Sequence, residues 1–184
     1  MPELPEVEAA SLRLRNAAQG RRILVVRVLH PALRRRLSRR DASKLRDARV
    51  DHVDRRGKYQ LLHLDTGVTL ITHFRMSGDW HISERQGPLP PYARAVLELD
   101  NGTRVVLVDP RALSSLELAP TSALPLPPLG PDPLTRGFTA RALGKALARR
   151  KGPIKPALLD QSIVAGVGNI YAVEALWRAR VHPA

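Results

Sequence analysis

The chain has 184 residues, 30 Lys or Arg against 17 Asp or Glu, a formal net charge of +13, and no cysteine. The cysteine count excludes disulfides and any cysteine-ligated zinc within these residues. Hydrophobic residues make up 43% and aromatics 4%, which supports a packed core of Leu, Val, Ile and Ala and argues against wholesale disorder. The opening Met1-Pro2-Glu3-Leu4-Pro5-Glu6 is not a signal peptide and no later run is long enough to span a membrane, so a cytoplasmic, soluble protein is expected.

In chain order, residues 2–18 read as a helix. Leu4, Val7, Ala10, Leu14 and Ala17 recur at helical spacing, Pro2 suits the first turn, and Gly20 follows as a stop. From Arg21 to Leu118 the pattern changes to strands: Arg21–Leu29, Ala48–Asp54, Lys58–Leu64, Val68–Phe74, Ala93–Leu99 and Thr103–Val108. Asp65-Thr66-Gly67 and Asp100-Asn101-Gly102 are hairpin turns. Short strands on tight turns imply an antiparallel sandwich or barrel. Arg34–Arg40, with five arginines, reads as a solvated loop.

Six prolines between residues 119 and 133 mark a semi-rigid linker. Thr139 can cap a helix running to Arg150 with Leu143, Ala146 and Leu147 inward. A short helix follows from Lys155 to Gln161, then Ala165-Gly166-Val167-Gly168 breaks the pattern, and Asn169–Arg178 forms the last helix. The expected class is therefore α+β. An N-terminal helix and antiparallel sandwich or barrel (1–118) lead through a linker (119–133) to a helical domain (134–184).

The charge is unevenly spread. Residues 21–58 hold 14 basic against 4 acidic side chains, and residues 134–184 hold 9 against 2, while Glu3, Glu6 and Glu8 cluster at the start. A basic body with one acidic point suits a protein that grips a phosphate backbone and does chemistry at one spot. Composition alone fits a non-catalytic nucleic-acid binder equally well.

Four motifs carry candidate chemistry, and each also has an ordinary structural reading. Removal of Met1 would give Pro2 a free secondary amine, able to attack a sugar C1′ and form an iminium ion. Glu3 could then protonate the ring oxygen. The ordinary reading is a proline and acids at a helix start. Lys58, in Arg55-Arg56-Gly57-Lys58-Tyr59, could hold a phosphate or be a solvated strand-end lysine. Met76, on the turn His73-Phe74-Arg75-Met76-Ser77-Gly78, could wedge into a base stack or fold back onto the core. In the segment from Leu158 to Glu174, glycines allow a tight double turn. Asn169 is placed to cap a helix whose N-terminus suits a phosphate, and an ordinary helix corner would look the same.

Together these motifs resemble the formamidopyrimidine-DNA glycosylase and endonuclease VIII family. Pro2-Glu3-Leu4-Pro5-Glu6-Val7-Glu8 is specific to the formamidopyrimidine branch. The Gly57-Lys58 pair, the His73 to Gly78 turn, Asp109-Pro110-Arg111, Ile154-Lys155-Pro156 and Gly166 to Glu174 follow in the family's order. The resemblance implies an N-terminal helix on a two-sheet β-sandwich joined to a helix-two-turn-helix. It also implies base-flipping excision of oxidised purines from double-stranded damaged DNA by a monomeric glycosylase and lyase associated with the nucleoid.

By that resemblance Pro2 is the nucleophile, Glu3 the proton donor and Lys58 a phosphate-holding catalytic lysine. His73 and Asn169 match backbone-contacting positions, Met76 and Arg111 residues that fill the gap left by the flipped base, and Lys155 a position near the damaged nucleotide. Two departures stand out: Leu113 replaces the family's aromatic wedge, and the chain ends where family members continue into a zinc-bearing hairpin. No cofactor or metal is expected within these residues, and zinc only in that further segment. The alternatives are a shortened DNA-binding or abasic-site-binding module with impaired catalysis, and an endonuclease VIII-like preference for oxidised pyrimidines.

Overall fold

A computed structural model describes all residues from Met1 to Ala184. The chain divides into two compact units: Met1–Arg55 with Tyr59–Pro125, and Arg56–Lys58 with Leu126–Ala184.

The first unit begins with α1 (Leu4–Ala18), which buries Leu4, Val7, Ala10, Ser11, Leu14 and Ala18. Pro2 lies just before this helix. The proline in its first turn is Pro5, whose missing N–H would have had no intrahelical partner there. Glu3 is the N-cap, and the Glu6 carboxylate accepts the Glu3 N–H at 2.9 Å, part of a capping box.

Eight strands form two four-stranded sheets. One has the order β1 (Ile23–Val28), β6 (Ala93–Leu99), β7 (Thr103–Val108), β5 (Asp79–Glu84). The other runs β2 (Val50–Arg56), β3 (Tyr59–Leu64), β4 (Val68–His73), β8 (Ser115–Pro120). The pairs β1–β6, β6–β7, β5–β7, β3–β4 and β4–β8 are antiparallel. One core takes Ile23, Leu97, Leu99, Val105 and Leu107 from the first sheet, Val50, Leu62, Leu64, Leu70 and Leu116 from the second, and Val7, Ala10 and Leu14 from α1. The arrangement is thus a sandwich rather than a closed barrel. Each fully buried Leu, Ile or Val contributes about 1.5–3 kcal/mol.

Three sequence expectations need correction here. The arginine-rich stretch is not a solvated loop: α2 (Pro31–Arg34) and α3 (Arg39–Lys44) flank it, and Leu33, Leu37, Ala42 and Leu45 are buried in the core. The arginines face outward around a buried apolar stripe, so charge masked helical spacing. β5 and β8 were not expected at all. β8 runs to Pro120, two residues into the supposed linker. It pairs with β4 alone, and a proline is tolerated at the end of such an edge strand.

The second unit contains α4 (Ala140–Leu147), α5 (Ile154–Leu159) and α6 (Asn169–Ala179). Thr139 caps α4, its hydroxyl accepting the Ala142 N–H at 3.1 Å. Leu143, Ala146 and Leu147 are half-buried rather than fully inward. The small core comprises Leu158, Ala172 and Leu176, against which Leu143, Leu147, Ile154, Leu159 and Val167 pack.

Candidate DNA-processing site

In the sandwich unit a single buried carboxylate organises two exposed loops. Asp109 follows β7 and is fully buried. Its Oδ1 accepts the Ser77 hydroxyl at 2.5 Å and the Arg111 N–H at 3.1 Å. Its Oδ2 accepts the Leu113 N–H, the Ser114 N–H and the Ser114 hydroxyl, each at 2.7 Å. Burial acts to raise the Asp109 pKa. The hydrogen bonds from Ser77, Ser114 and Arg111 outweigh it, and the group is held below the ordinary carboxylate range.

Asp109 thereby ties the His73–Gly78 turn to the 109–114 loop. The Ser114 hydroxyl, whose one proton goes to Asp109 at the shorter distance, also lies 3.1 Å from the Phe74 carbonyl oxygen. The fit leaves no space at Gly78, where a Cβ would lie 2.3 Å from Ser114 Oγ and 2.9 Å from the Phe74 carbonyl oxygen. Each loop contains a non-glycine residue in the left-handed region, Arg75 at φ +56° and Ala112 at φ +53°. Such conformations persist where surrounding bonds over-determine them, and Asp109 supplies those bonds.

The result is a rigid base beneath exposed tips. Met76 is 42% and Leu113 48% exposed, and Arg111, two residues before Leu113, is exposed as well. The alternative in which Met76 folds back onto the core does not hold. His73, half-buried, accepts the Arg75 N–H at Nδ1 at 3.0 Å and packs edge-on to Tyr59 with ring centroids 4.8 Å apart.

At the start of the same unit, Pro2 is half-buried and Glu3 is 1% exposed. Of the three clustered acids only Glu3 is fully buried. Glu6 serves the capping box, and Glu8 takes an ion pair with the largely buried Arg55 guanidinium. All three acids therefore have structural work, Glu3 as the N-cap of α1, and Glu3 is the one that adjoins Pro2 directly.

The helical unit contains Lys58, Lys155 and Asn169. Lys58 is 8% exposed and belongs with the hairpin tip 56–58. Gly57, at φ +55°, brings the tip against the two-turn segment: a Cβ there would meet Ala165 Cβ at 3.4 Å and the Gly166 nitrogen at 3.5 Å. Gln161 braces that segment, accepting the Gly166 N–H at 2.8 Å and donating to the Leu159 and Val167 carbonyls at 2.9 and 2.8 Å. Lys155 is half-buried in α5. Asn169 is exposed, but it is the first residue of α6 and not its cap. The N-cap is Gly168, which is buried and has no side chain to bond the helix end. The first turn of α6 contains no acidic residue.

Family comparison follows the same division. The model described as formamidopyrimidine-DNA glycosylase N-terminal domain matches residues 1–116, and that described as formamidopyrimidine-DNA glycosylase H2TH domain matches residues 129–184. The chain belongs to the formamidopyrimidine-DNA glycosylase family. Its family is one of DNA glycosylases, enzymes of DNA repair.

Formamidopyrimidine-DNA glycosylases of Acidiphilium cryptum and Novosphingobium aromaticivorans are 42% and 43% identical to it, aligned over 100% of this chain and 67% and 68% of their own lengths. The chain thus spans about two thirds of those relatives. The Lactococcus lactis glycosylase bound non-covalently to DNA containing an abasic site superposes with a TM-score of 0.88, at 29% identity, over 98% of this chain and 71% of that one. A mutant of the same enzyme bound to DNA containing Fapy-dG gives 0.89 over 99% and 68%. No helix is long and apolar enough to cross a membrane.

Asp109 is the functional residue that sequence reasoning passed over. It stands in the Asp109-Pro110-Arg111 motif, where the resemblance points to the arginine. An Asp preceding a Pro-initiated turn commonly bonds backbone N–H groups just ahead of it, and that was the available signal. Gln161 carried no comparable mark.

Proposed function

We propose that this chain excises oxidised purines, formamidopyrimidine and 8-oxoguanine, from double-stranded DNA and then cleaves the strand at the abasic site. The observation that carries the reading is the start of α1, where a buried Glu3, fixed as N-cap by the Glu6 carboxylate, adjoins Pro2. The neighbours bound to abasic-site and Fapy-dG DNA support it.

With Met1 removed, the Pro2 nitrogen attacks C1′ of the damaged nucleotide. The bond from C1′ to the base breaks and the base leaves with its electron pair, taking up a proton. Glu3 protonates the sugar ring oxygen, the ring opens, and an iminium ion joins Pro2 to C1′. Loss of a C2′ proton expels the 3′ phosphate, and a second elimination expels the 5′ phosphate. Water then hydrolyses the iminium ion, releasing the sugar remnant as a carbonyl compound and returning the Pro2 amine.

Extruding the nucleotide costs a few kcal/mol of stacking, less for a lesion. Met76 and Arg111, on loops fixed by Asp109, occupy the vacated space, and the exposed Leu113 stands where an aromatic wedge was expected. Lys58, His73 and Asn169 take the phosphate backbone, and Lys155 stands near the damaged nucleotide.

The test is sodium borohydride trapping on abasic-site DNA. A covalent adduct is expected, weakened by Pro2→Gly and abolished when Met1 removal is blocked. Glu3→Gln retains an oxygen for the cap and should lower 8-oxoguanine excision by about a hundredfold or more with DNA affinity near wild type. Trapping that proceeds through a lysine with Pro2 blocked would overturn the assignment. Running the same assay with an oxidised pyrimidine is informative, because a Lactococcus lactis structure of this family holds DNA with such a lesion.

A further inference from the structure

Away from these loops, the sandwich unit holds a second constellation of donor atoms. His52 and Asp54 lie two residues apart on β2, so their side chains leave the same face of the sheet. His63, on β3, stacks on His52 with ring centroids 4.1 Å apart and ring planes 14° from parallel. One ligand atom from each of His52, Asp54 and His63 lies within 4.8 Å of the other two.

The ring of His63 is oriented by a chain of hydroxyls. Its Nδ1 lies 2.9 Å from Thr69 Oγ1, its register partner on β4, and Thr69 Oγ1 lies 2.8 Å from Thr121 Oγ1. If Nδ1–H donates to Thr69, the Thr69 hydroxyl can donate onward to Thr121, and coordination falls to Nε2. A histidine whose other nitrogen is tied to an oxygen is the usual setting of a metal ligand, because that bond fixes both tautomer and ring direction.

We propose that His52, Asp54 and His63 form a binding site for one divalent first-row transition ion. Two imidazoles and one carboxylate suit Zn²⁺, Cu²⁺ and Ni²⁺. Mg²⁺ and Ca²⁺, which prefer oxygen donors, fit poorly. Ligand bonds of about 2.0–2.1 Å require the three donor atoms to draw closer than they stand. Because the lone pair of an imidazole nitrogen lies in the ring plane, the His52 ring must also turn out of its stack on His63; this movement falls on His52 and Asp54, which are exposed, while His63 is 8% exposed and anchored through Thr69. The site departs from the expectation that these residues hold no metal. It also clips together β2 and β3, the two strands that lead into and out of Lys58.

The proposal is tested without DNA. The full chain, stripped with a chelator, is titrated calorimetrically with zinc chloride. One ion per chain is expected, with His52→Ala and Asp54→Asn each weakening binding by at least about tenfold. Both residues lie outside the buried core, so these variants should fold even if His63→Gln does not. His81→Ala, an imidazole elsewhere on the sandwich, should leave binding unchanged. With Cu²⁺ as the probe, electron paramagnetic resonance should show two imidazole nitrogens on the metal in the wild type and one in His52→Ala. Saturable binding that survives both substitutions, absence of binding up to about 1 mM zinc, or a copper spectrum without two nitrogens would each overturn the assignment.

Discussion

In the sandwich unit a buried carboxylate collects hydrogen bonds and holds exposed loops still; in the helical unit the chain is positioned by backbone approaching backbone at glycines. Asp109 accepts bonds from Ser77, Arg111, Leu113 and Ser114 at the edge of a core of 23 buried residues. The helical unit packs its α5–α6 core around three. Its two-turn segment is instead shaped by Gly130, where a Cβ would sit 2.5 Å from the Ile163 carbonyl oxygen, and by the bonds of Gln161. The contrast suits what each unit is proposed to do. Wedge residues entering a base stack need a stiff base, since misplacement of about 1 Å is costly in catalysis. A surface that receives a phosphate needs its N–H groups close to the ligand, which small residues permit.

The largest effect that would break this comparison is at Asp109. Asp109→Ala leaves several buried donors without their acceptor, and should lower stability by about 3 kcal/mol, read from the urea midpoint at unchanged m-value. It should also loosen the Met76 and Arg111 loops, so excision falls more than binding to undamaged duplex. The folded Asp109 pKa is depressed, so its stabilisation is complete above the ordinary value of 3.8 and is lost as pH falls through the lower folded value. The stability gap between wild type and Asp109→Asn should therefore narrow as pH drops from about 5 towards about 2. A gap that is constant with pH would mean the carboxylate charge contributes nothing.

Next in size is the matching change in the helical unit. Gly130→Ala puts a methyl against the backbone of Ser162 and Ile163, and backbone cannot rotate aside as a side chain can. Destabilisation of about 2 kcal/mol is expected, visible as faster hydrogen exchange across residues 158–176 with the sandwich amides unchanged. Equal loosening of both units would erase the distinction drawn between them.

Legibility followed the same physical divide. β6 and β7 are legible to the residue because Asp100-Asn101-Gly102 fixes their hairpin and each strand carries an apolar run, Ala95–Leu97 in one and Val105–Val108 in the other. β5 was missed because, in Asp79–Glu84, only Trp80 is buried, so neither alternation nor a hydrophobic run announces it. β8 ends in proline and borders a proline-rich stretch, which reads as linker. Along α2, α3 and the residues that join and follow them, the spacing of Leu33, Leu37 and Leu45 is masked by arginines.

At the candidate site, Pro2, Glu3 and Met76 were legible as residue types in telling positions. The work of Asp109 was not, because it consists of bonds to residues up to 32 positions away, which no local pattern encodes. Asn169 is not the cap that its residue type suggests, Asn being among the residues favoured at a helix start; the cap position falls to Gly168, one residue earlier.

The first turn of α6 sets the smallest and most discriminating prediction. Lys58 and Asn169 both lie in the helical unit, and both are proposed to touch phosphate by different physics. Lys58 carries a charge whose contact releases a counterion, so Lys58→Ala should reduce the slope of log affinity against log salt by about one unit. Asn169 is neutral and exposed on the first turn of α6. Its loss removes one hydrogen bond, so Asn169→Ala should weaken binding by about 1 kcal/mol, roughly fivefold, with the slope unchanged. The measurement is fluorescence anisotropy on one undamaged duplex across a salt series, so that neither base extrusion nor the Pro2 chemistry contributes. A slope change in Asn169→Ala as large as that in Lys58→Ala would mean the substitution disturbs the charged tip rather than a phosphate contact. Unchanged affinity in both variants would return the pair to ordinary structural roles and leave the phosphate grip to the arginines of the sandwich unit.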